Sequence, residues 1–199
     1  MAKIGLSKPY AARYSATGNT VTYSEGAVVG KAVSLSVELA GAESNNLYAD
    51  NGIAESSNTF SNGSFTLTTD DLLAEEMMRI LGIEKEAITG VDGVTTPDAS
   101  WYKFNSNQST PYMGFGAIVK TQKDGVTGWQ AFVLPKIKFQ NPSDSFTTQG
   151  ENIEWGTPEI GGTIMRDDTA DQNWKMISTV LATEEEAENL IKHFLQIAP

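Results

Sequence analysis

The chain contains no cysteine, which excludes a disulfide framework, a thiolate nucleophile and a cysteine-based zinc site. It has a single histidine, His193, beside the apolar face of the C-terminal helix with no obvious partner to orient it, so it reads as a boundary residue and no Ser has a plausible triad. Positive charge is scarce: 14 Lys and Arg stand against 25 Asp and Glu, a net charge of −11. Nucleic-acid affinity rests on Lys and Arg neutralising phosphates, and no basic stripe is present to do it. Lys136 and Lys138 alternate on one strand and read as solvated strand residues. No apolar run approaches the length of a membrane span, and MAKIGLSKPYAARYSA lacks the apolar core of a signal peptide. The sequons Asn62-Gly63-Ser64 and Asn107-Gln108-Ser109 therefore read as chance, and the expected setting is a cytoplasm.

What remains is a polar-surfaced globular chain of 199 residues, 40% hydrophobic and 20% charged. No composition shift or internal repeat divides it, so residues 1–199 are expected to form one domain. Strand patterns dominate. Lys31–Leu39 alternates with Val33, Leu35, Val37 and Leu39 on one face, and Ser64–Thr68 places Phe65 and Leu67 inward. Tyr112–Phe139 reads as a hairpin turning at Asp124-Gly125, a pair suited to positive φ, with Pro135 marking a bulge, a break or an edge. Further strands are expected over Thr147–Trp155, Glu159–Arg166 and Trp174–Leu181. The stretch from Glu84 to Asn107 is less regular, with Trp101, Tyr102 and Phe104 in a short strand or packed loop.

Two amphipathic helices interrupt the strands. Asp70–Leu81 carries acids in its first turn, Leu73, Met77, Ile80 and Leu81 on one face, a Glu75–Arg79 pair and Gly82 as its stop. The C-terminal helix, at about 183–197, opens on a capping box between Thr183 and Glu186 and presents Ala187, Leu190, Ile191, Phe194 and Leu195. The expected class is α+β, mostly antiparallel β: a β-sandwich or part-barrel with one or two flanking helices.

No motif for catalysis or cofactor binding emerges, and no cofactor or metal is expected. Gly114-Phe115-Gly116 lacks a third glycine and lies within a strand, where glycines more simply admit a neighbouring backbone or a bulky side chain. Asp167, Asp168 and Asp171 lack the spacing of a calcium loop and read as a solvated turn. The acids of Glu184–Glu188 complement the helix dipole.

The unusual feature is Ala40–Ser64, AGAESNNLYADNGIAESSNTFSNGS: a long polar loop holding an apolar island of Leu47, Tyr48, Ala49, Ile53 and Ala54. Loops of this length are functional or disordered, and a disordered linker gains nothing from exposed Leu, Tyr and Ile. The segment reads as a docking arm.

In order along the chain, GKAVSLSVEL, NLYADNGIAE, TLTTDDLLAEEMMRILG, YMGFGAIVKTQKDGV, LPKIKFQNPSDSFTTQGENIEW and TPEIGGTIM resemble the major tail proteins, or tail tube proteins, of long-tailed phages with non-contractile tails, particularly those of Gram-positive hosts. The resemblance runs from about Gly30 to Met165, and the C-terminal helix fits it as well. It implies a structural virion protein, not an enzyme, assembled in the host cytoplasm into stacked hexameric rings. The rings form a tube that conducts double-stranded DNA without binding it, around a tape measure protein and between a tail terminator and tail-tip proteins. It further implies that the 40–64 loop reaches the adjacent ring, with Leu47, Tyr48 and Ile53 as anchor and Asp50 and Glu55 pairing with Lys or Arg there. An acidic bore would repel phosphates. Other readings are a tube subunit of a contractile or secretion-type injection device, a carbohydrate- or ligand-binding sandwich using Trp101, Tyr102 or Trp129, and an enzyme with two converging carboxylates.

Overall fold

A computed structural model describes residues 1–40, 45–49, 52–57, 60–143, 148 and 156–198, giving the backbone alone for 45–49 and 52–57. Twelve strands are described: β1 (Ala2–Thr17), β2 (Thr20–Val28), β3 (Ala32–Leu39), β4 (Asn45–Ala49), β5 (Gly52–Ser57), β6 (Gly63–Thr69), β7 (Glu84–Ala87), β8 (Ser100–Lys103), β9 (Tyr112–Lys123), β10 (Val126–Phe139), β11 (Glu159–Met165) and β12 (Met176–Ile177). Two helices accompany them, α1 (Ala74–Leu81) and α2 (Glu184–Phe194). The class is α+β with antiparallel sheet predominating, as the sequence patterns require.

The main sheet runs β2-β1-β9-β10-β11-β6-β3, with β12 also on β10, and all its pairs are antiparallel. Its centre is β9–β10, which turn at Asp124 and Gly125 with φ of 52° and 81°. Two successive positive φ values are what a tight hairpin joining right-twisted strands demands. Beyond Leu134 the register slips before Ile137: Pro135, which cannot donate to a ladder, sits in a bulge.

Central strands are buried on both faces. On one, Ala11, Met113, Phe115, Leu134 and Ile137 join Phe65, Leu67 and Ile164 beneath α1. On the other, Ala12, Ile118, Ala131 and Val133 meet Ala187, Ile191 and Leu195 of α2. The sheet curls until β3 lies over β1, which makes a part-barrel open along one side.

Several boundaries differ from the sequence patterns, each for a local reason. α1 begins at Ala74, not Asp70, because Asp70 turns its carboxylate back to accept from its neighbour Asp71 N (2.9 Å) and from Lys31 N (2.9 Å). Leu73 is the N-cap and is exposed. Arg79 pairs with Glu76 instead of Glu75. On β3, Leu35 and Val37 are half-buried whereas Val33 and Leu39 are exposed, because β3 is an edge strand whose register shifts between Ala32 and Ser34. Trp174–Leu181 shrinks to β12 plus a bridge between Leu181 and Trp129. The strand expected at Thr147–Trp155 falls almost wholly outside the described residues. Alternation does not mark the N-terminal hairpin β1–β2, although Gly18-Asn19 is its turn signal, with Gly18 at φ 59°.

α2 is held as the capping box predicts: Glu186 N donates to Thr183 Oγ1 (3.2 Å), and Glu186 Oε2 accepts from Thr183 N (3.2 Å). A second tie was invisible to periodicity. Lys8 sits at φ 48°, where β1 slips register between Ser7 and Tyr10, and this bulge aims its ammonium at Glu188. Glu188 also accepts from Tyr10 Oη (2.7 Å) and pairs with Lys192 (2.9 Å), while Ser7 donates to Glu184 (2.8 Å). The acids of this helix thus clasp β1 as well as complementing the dipole.

The hydrogen bond from Lys8, then that from Lys192, draws the Glu188 carboxyl down to about 2, and burial pushes the Tyr10 hydroxyl up to about 12. A carboxyl whose pKa falls on folding stabilises the fold above its unfolded pKa. That stabilisation fades as pH drops from about 4.5 towards 2. Glu188→Gln is therefore expected to lower stability by about 1–2 kcal/mol at neutral pH. The gap from the parent protein should close across that acid window in thermal melts; a gap independent of pH would refute the clasp.

Candidate interaction surfaces

The island segment is not an unstructured loop. β4 and β5 form a two-stranded antiparallel hairpin, a sheet separate from the main one among the described residues. The register sets Leu47 opposite Glu55, Tyr48 opposite Ile53, and Ala49 opposite Gly52, with a slip between Leu47 and Tyr48. Two residues, Asp50 and Asn51, lie between the strands in the sequence, both outside the described residues. Of the five residues singled out from the sequence, Leu47 and Tyr48 lie on β4 and Ile53 and Glu55 on β5. Asp50 lies outside the described residues.

At the base of this arm, Phe60 stacks on Trp174, with ring centroids 4.4 Å apart and planes 4° from parallel. Leu39 precedes the arm and is exposed. The arm is thus rooted by an aromatic stack on one side and by the end of β3 on the other.

A second small hairpin, β7–β8, carries Trp101, 65% exposed, and exposed Phe104, while Tyr102 packs on the core. Trp129 is half-buried on the α2 side of the sheet, with Lys120 6.0 Å from its ring centroid. Trp101 and Tyr102 alternate on their strand and Trp129 lies on another element, so the three aromatics form no common stacking platform.

The remaining charged candidates are structural. Lys136 is not a solvated strand residue: its side chain is 15% exposed and donates to Asp168 Oδ2 (2.6 Å), and its ammonium lies 5.0 Å from the ring centroids of Tyr14 and Tyr112. Lys138 is exposed, 5.4 Å from Tyr112. Asp168 also accepts from Tyr14 Oη (2.7 Å), and these two donors, Lys136 first, hold its carboxyl below the usual range. Nor are the aspartates simply a solvated turn, since Asp167 is buried and accepts from Thr169 Oγ1 (2.7 Å). Among the described residues no cluster of His, Cys, Asp and Glu could hold a metal ion. His193 is exposed on α2 beside a small apolar groove that also touches Met176, Ile177 and Leu190.

Arg79 does more than pair along its helix surface. Its guanidinium donates to the carbonyls of Ala11, Glu25 (3.0 Å) and Ala27 (3.3 Å), binding α1 to the irregular part of the β1–β2 ladder. Its side chain is 13% exposed. Arg79→Met is expected to cost about 2–3 kcal/mol, because three carbonyls and Glu76 lose a charged donor together. Urea unfolding checks this, and Arg79→Lys should recover only part, since an ammonium lacks the planar fork.

Compared with models of known protein families, the chain matches none. No curated protein matches it significantly either.

Proposed function

We propose that this chain is the subunit of a self-assembling tube, of the kind that forms the tail of a long-tailed phage, and that the β4–β5 arm is its contact with the adjoining ring. The observation that carries the reading is the arm itself. An isolated two-stranded hairpin is marginal in water, and among the described residues this one adds to no other sheet, yet its sequence places Leu, Tyr and Ile on it. A hairpin with that composition gains stability when a second surface covers it.

The main sheet supports the same reading. It ends in two edge strands, β2 and β3, and an open edge is a liability unless it is blunted or paired. The β2 edge is partly covered, since Tyr23 N donates to Gln196 Oε1 (3.0 Å). The exposed face of β3 carries Ser34, Ser36 and Glu38, polar residues suited to a wet bore or to pairing with a neighbouring copy. With a net charge of −11, a bore built from such subunits repels DNA phosphates.

Negative-stain microscopy of the purified protein at high concentration tests this. Hollow tubes or six-fold rings are the expected result. A monodisperse monomer under crowding and high salt overturns the reading.

A further inference from the structure

The side opening of the part-barrel is a groove of about 500 Å³. Leu35 and Val37 of β3 form one wall, and Val119 and Phe132 of β9 and β10 form the floor. Lys3 and Lys175 stand at it. Neither lysine makes an ion pair among the described residues, although seven other basic residues do; Lys175 only overlies the Trp174 ring, 4.7 Å from its centroid. In a chain of net charge −11, an apolar groove flanked by two cations that pair with no described carboxylate suits an apolar ligand with carboxylates at its margins.

One segment of the chain has that chemistry. Residues 40–64 carry Glu43, Asp50 and Glu55 with no Lys or Arg, flanking Leu47, Tyr48 and Ile53. We infer that the groove is the receptor for the β4–β5 arm of an adjoining copy, the apolar island filling it while Lys3 and Lys175 pair with Asp50 and Glu55. This rests on the tube reading above and names the surface that covers the arm. The adjoining copy is the occupant that the tube reading supplies, and the arm's root fits it. The arm leaves from Leu39, itself part of the groove wall, and its strands of five and six residues reach about 17–20 Å from that root, pairing among the described residues only with each other. Opposite charges at the rim fix register and speed encounter, and the buried apolar contact supplies the affinity.

The test is a charge swap followed by a cross-link. Lys3→Glu with Lys175→Glu should cut tube yield, read by sedimentation and microscopy, at least about tenfold, because like charges then face each other. Adding Asp50→Lys and Glu55→Lys to that variant should restore it. With no native cysteine to interfere, Val37→Cys protein mixed with Ala49→Cys protein should give a disulfide-linked dimer on mild oxidation. Tubes from the parent with undiminished yield in the lysine variant, or no dimer in the mixture, overturn the groove assignment and leave the tube reading standing. A monomer band of raised mobility from the Val37→Cys/Ala49→Cys double variant, with no dimer, assigns the groove to the chain's own arm and also overturns it. Failure of the parent to assemble at all, with no dimer in the mixture, overturns both.

Discussion

Replacing Gly116 by valine is expected to unseat α2 and to destabilise the protein by more than about 4 kcal/mol, among the largest effects a single substitution produces. Gly116 lies in β9 directly under the helix, and a Cβ built there would stand 2.6 Å from Ile191 Cγ2. No real Cβ tolerates that distance. Ile191 is fully buried with Ala187 and Leu195, so it has nowhere to move without lifting the helix. At the neighbouring Gly114 the Cβ position is closed first by the Tyr23 ring and then by Leu195 Cδ2, 2.8 Å away. The two glycines form a flat strip that receives Ile191 and Leu195 of the helix and the ring of Tyr23.

A double-mutant cycle isolates the contact. Gly116→Ala and Ile191→Ala should each destabilise, the second by about 2–5 kcal/mol through the cavity it leaves. Together they should cost clearly less than their sum, since the new methyl occupies the vacated space. Additive losses in chemical denaturation would mean that the two residues do not meet. A helix displaced by Gly116→Val would also expose its apolar face, read as dye binding with most of the strand signal retained.

That strip was readable from Gly114-Phe115-Gly116 as a place of close approach, but its partner was not. The same division runs through the fold. Features written in consecutive residues were legible: the Asp124-Gly125 hairpin, the Thr183–Glu186 capping box, and Phe65 and Leu67 as inward positions of β6. Alternation failed where a second influence acted on the strand. Val33 and Leu39 share a face with Leu35 and Val37, yet lie exposed because β3 ends the sheet and slips register at its start. The N-terminal hairpin was obscured because β1 is buried on both faces in its middle, Tyr10 to Ala12, so hydrophobic and polar residues do not alternate there.

Contacts between distant elements were beyond reach of a one-dimensional pattern. Arg79 reads as a helix-surface charge until β1 and β2 present three carbonyls to it. Lys136 reads as solvated until Tyr14, Tyr112 and Asp168 surround it. The candidate site shows the same limit. Its apolar island is conspicuous in sequence, but the hairpin register of β4 and β5 that carries it is not, and the groove assembled from β1, β3, β9 and β10 has no local signature.

The arm gives the second large effect. Tyr48→Ala combined with Ile53→Ser is expected to abolish tube formation while leaving the thermal transition of the subunit nearly unchanged. The register sets these two residues opposite each other on β4 and β5, so the pair removes the centre of the island at one level of the hairpin. Truncating a buried tyrosine at an interface commonly costs about 2 kcal/mol or more. In a six-fold ring every arm carries the same loss, so stacking two rings forfeits a multiple of it, which turns a moderate defect per contact into an all-or-none failure of assembly. The subunit should be spared because the arm adds no strand to the main sheet, and substitutions away from a packed core fall within about 0.5 kcal/mol. The informative comparison is between sedimentation and melting on the same samples. Loss of tubes with an unchanged melt places the island between copies, whereas a melt lowered by several degrees would place it on its own subunit and end the case for the arm as an inter-ring contact.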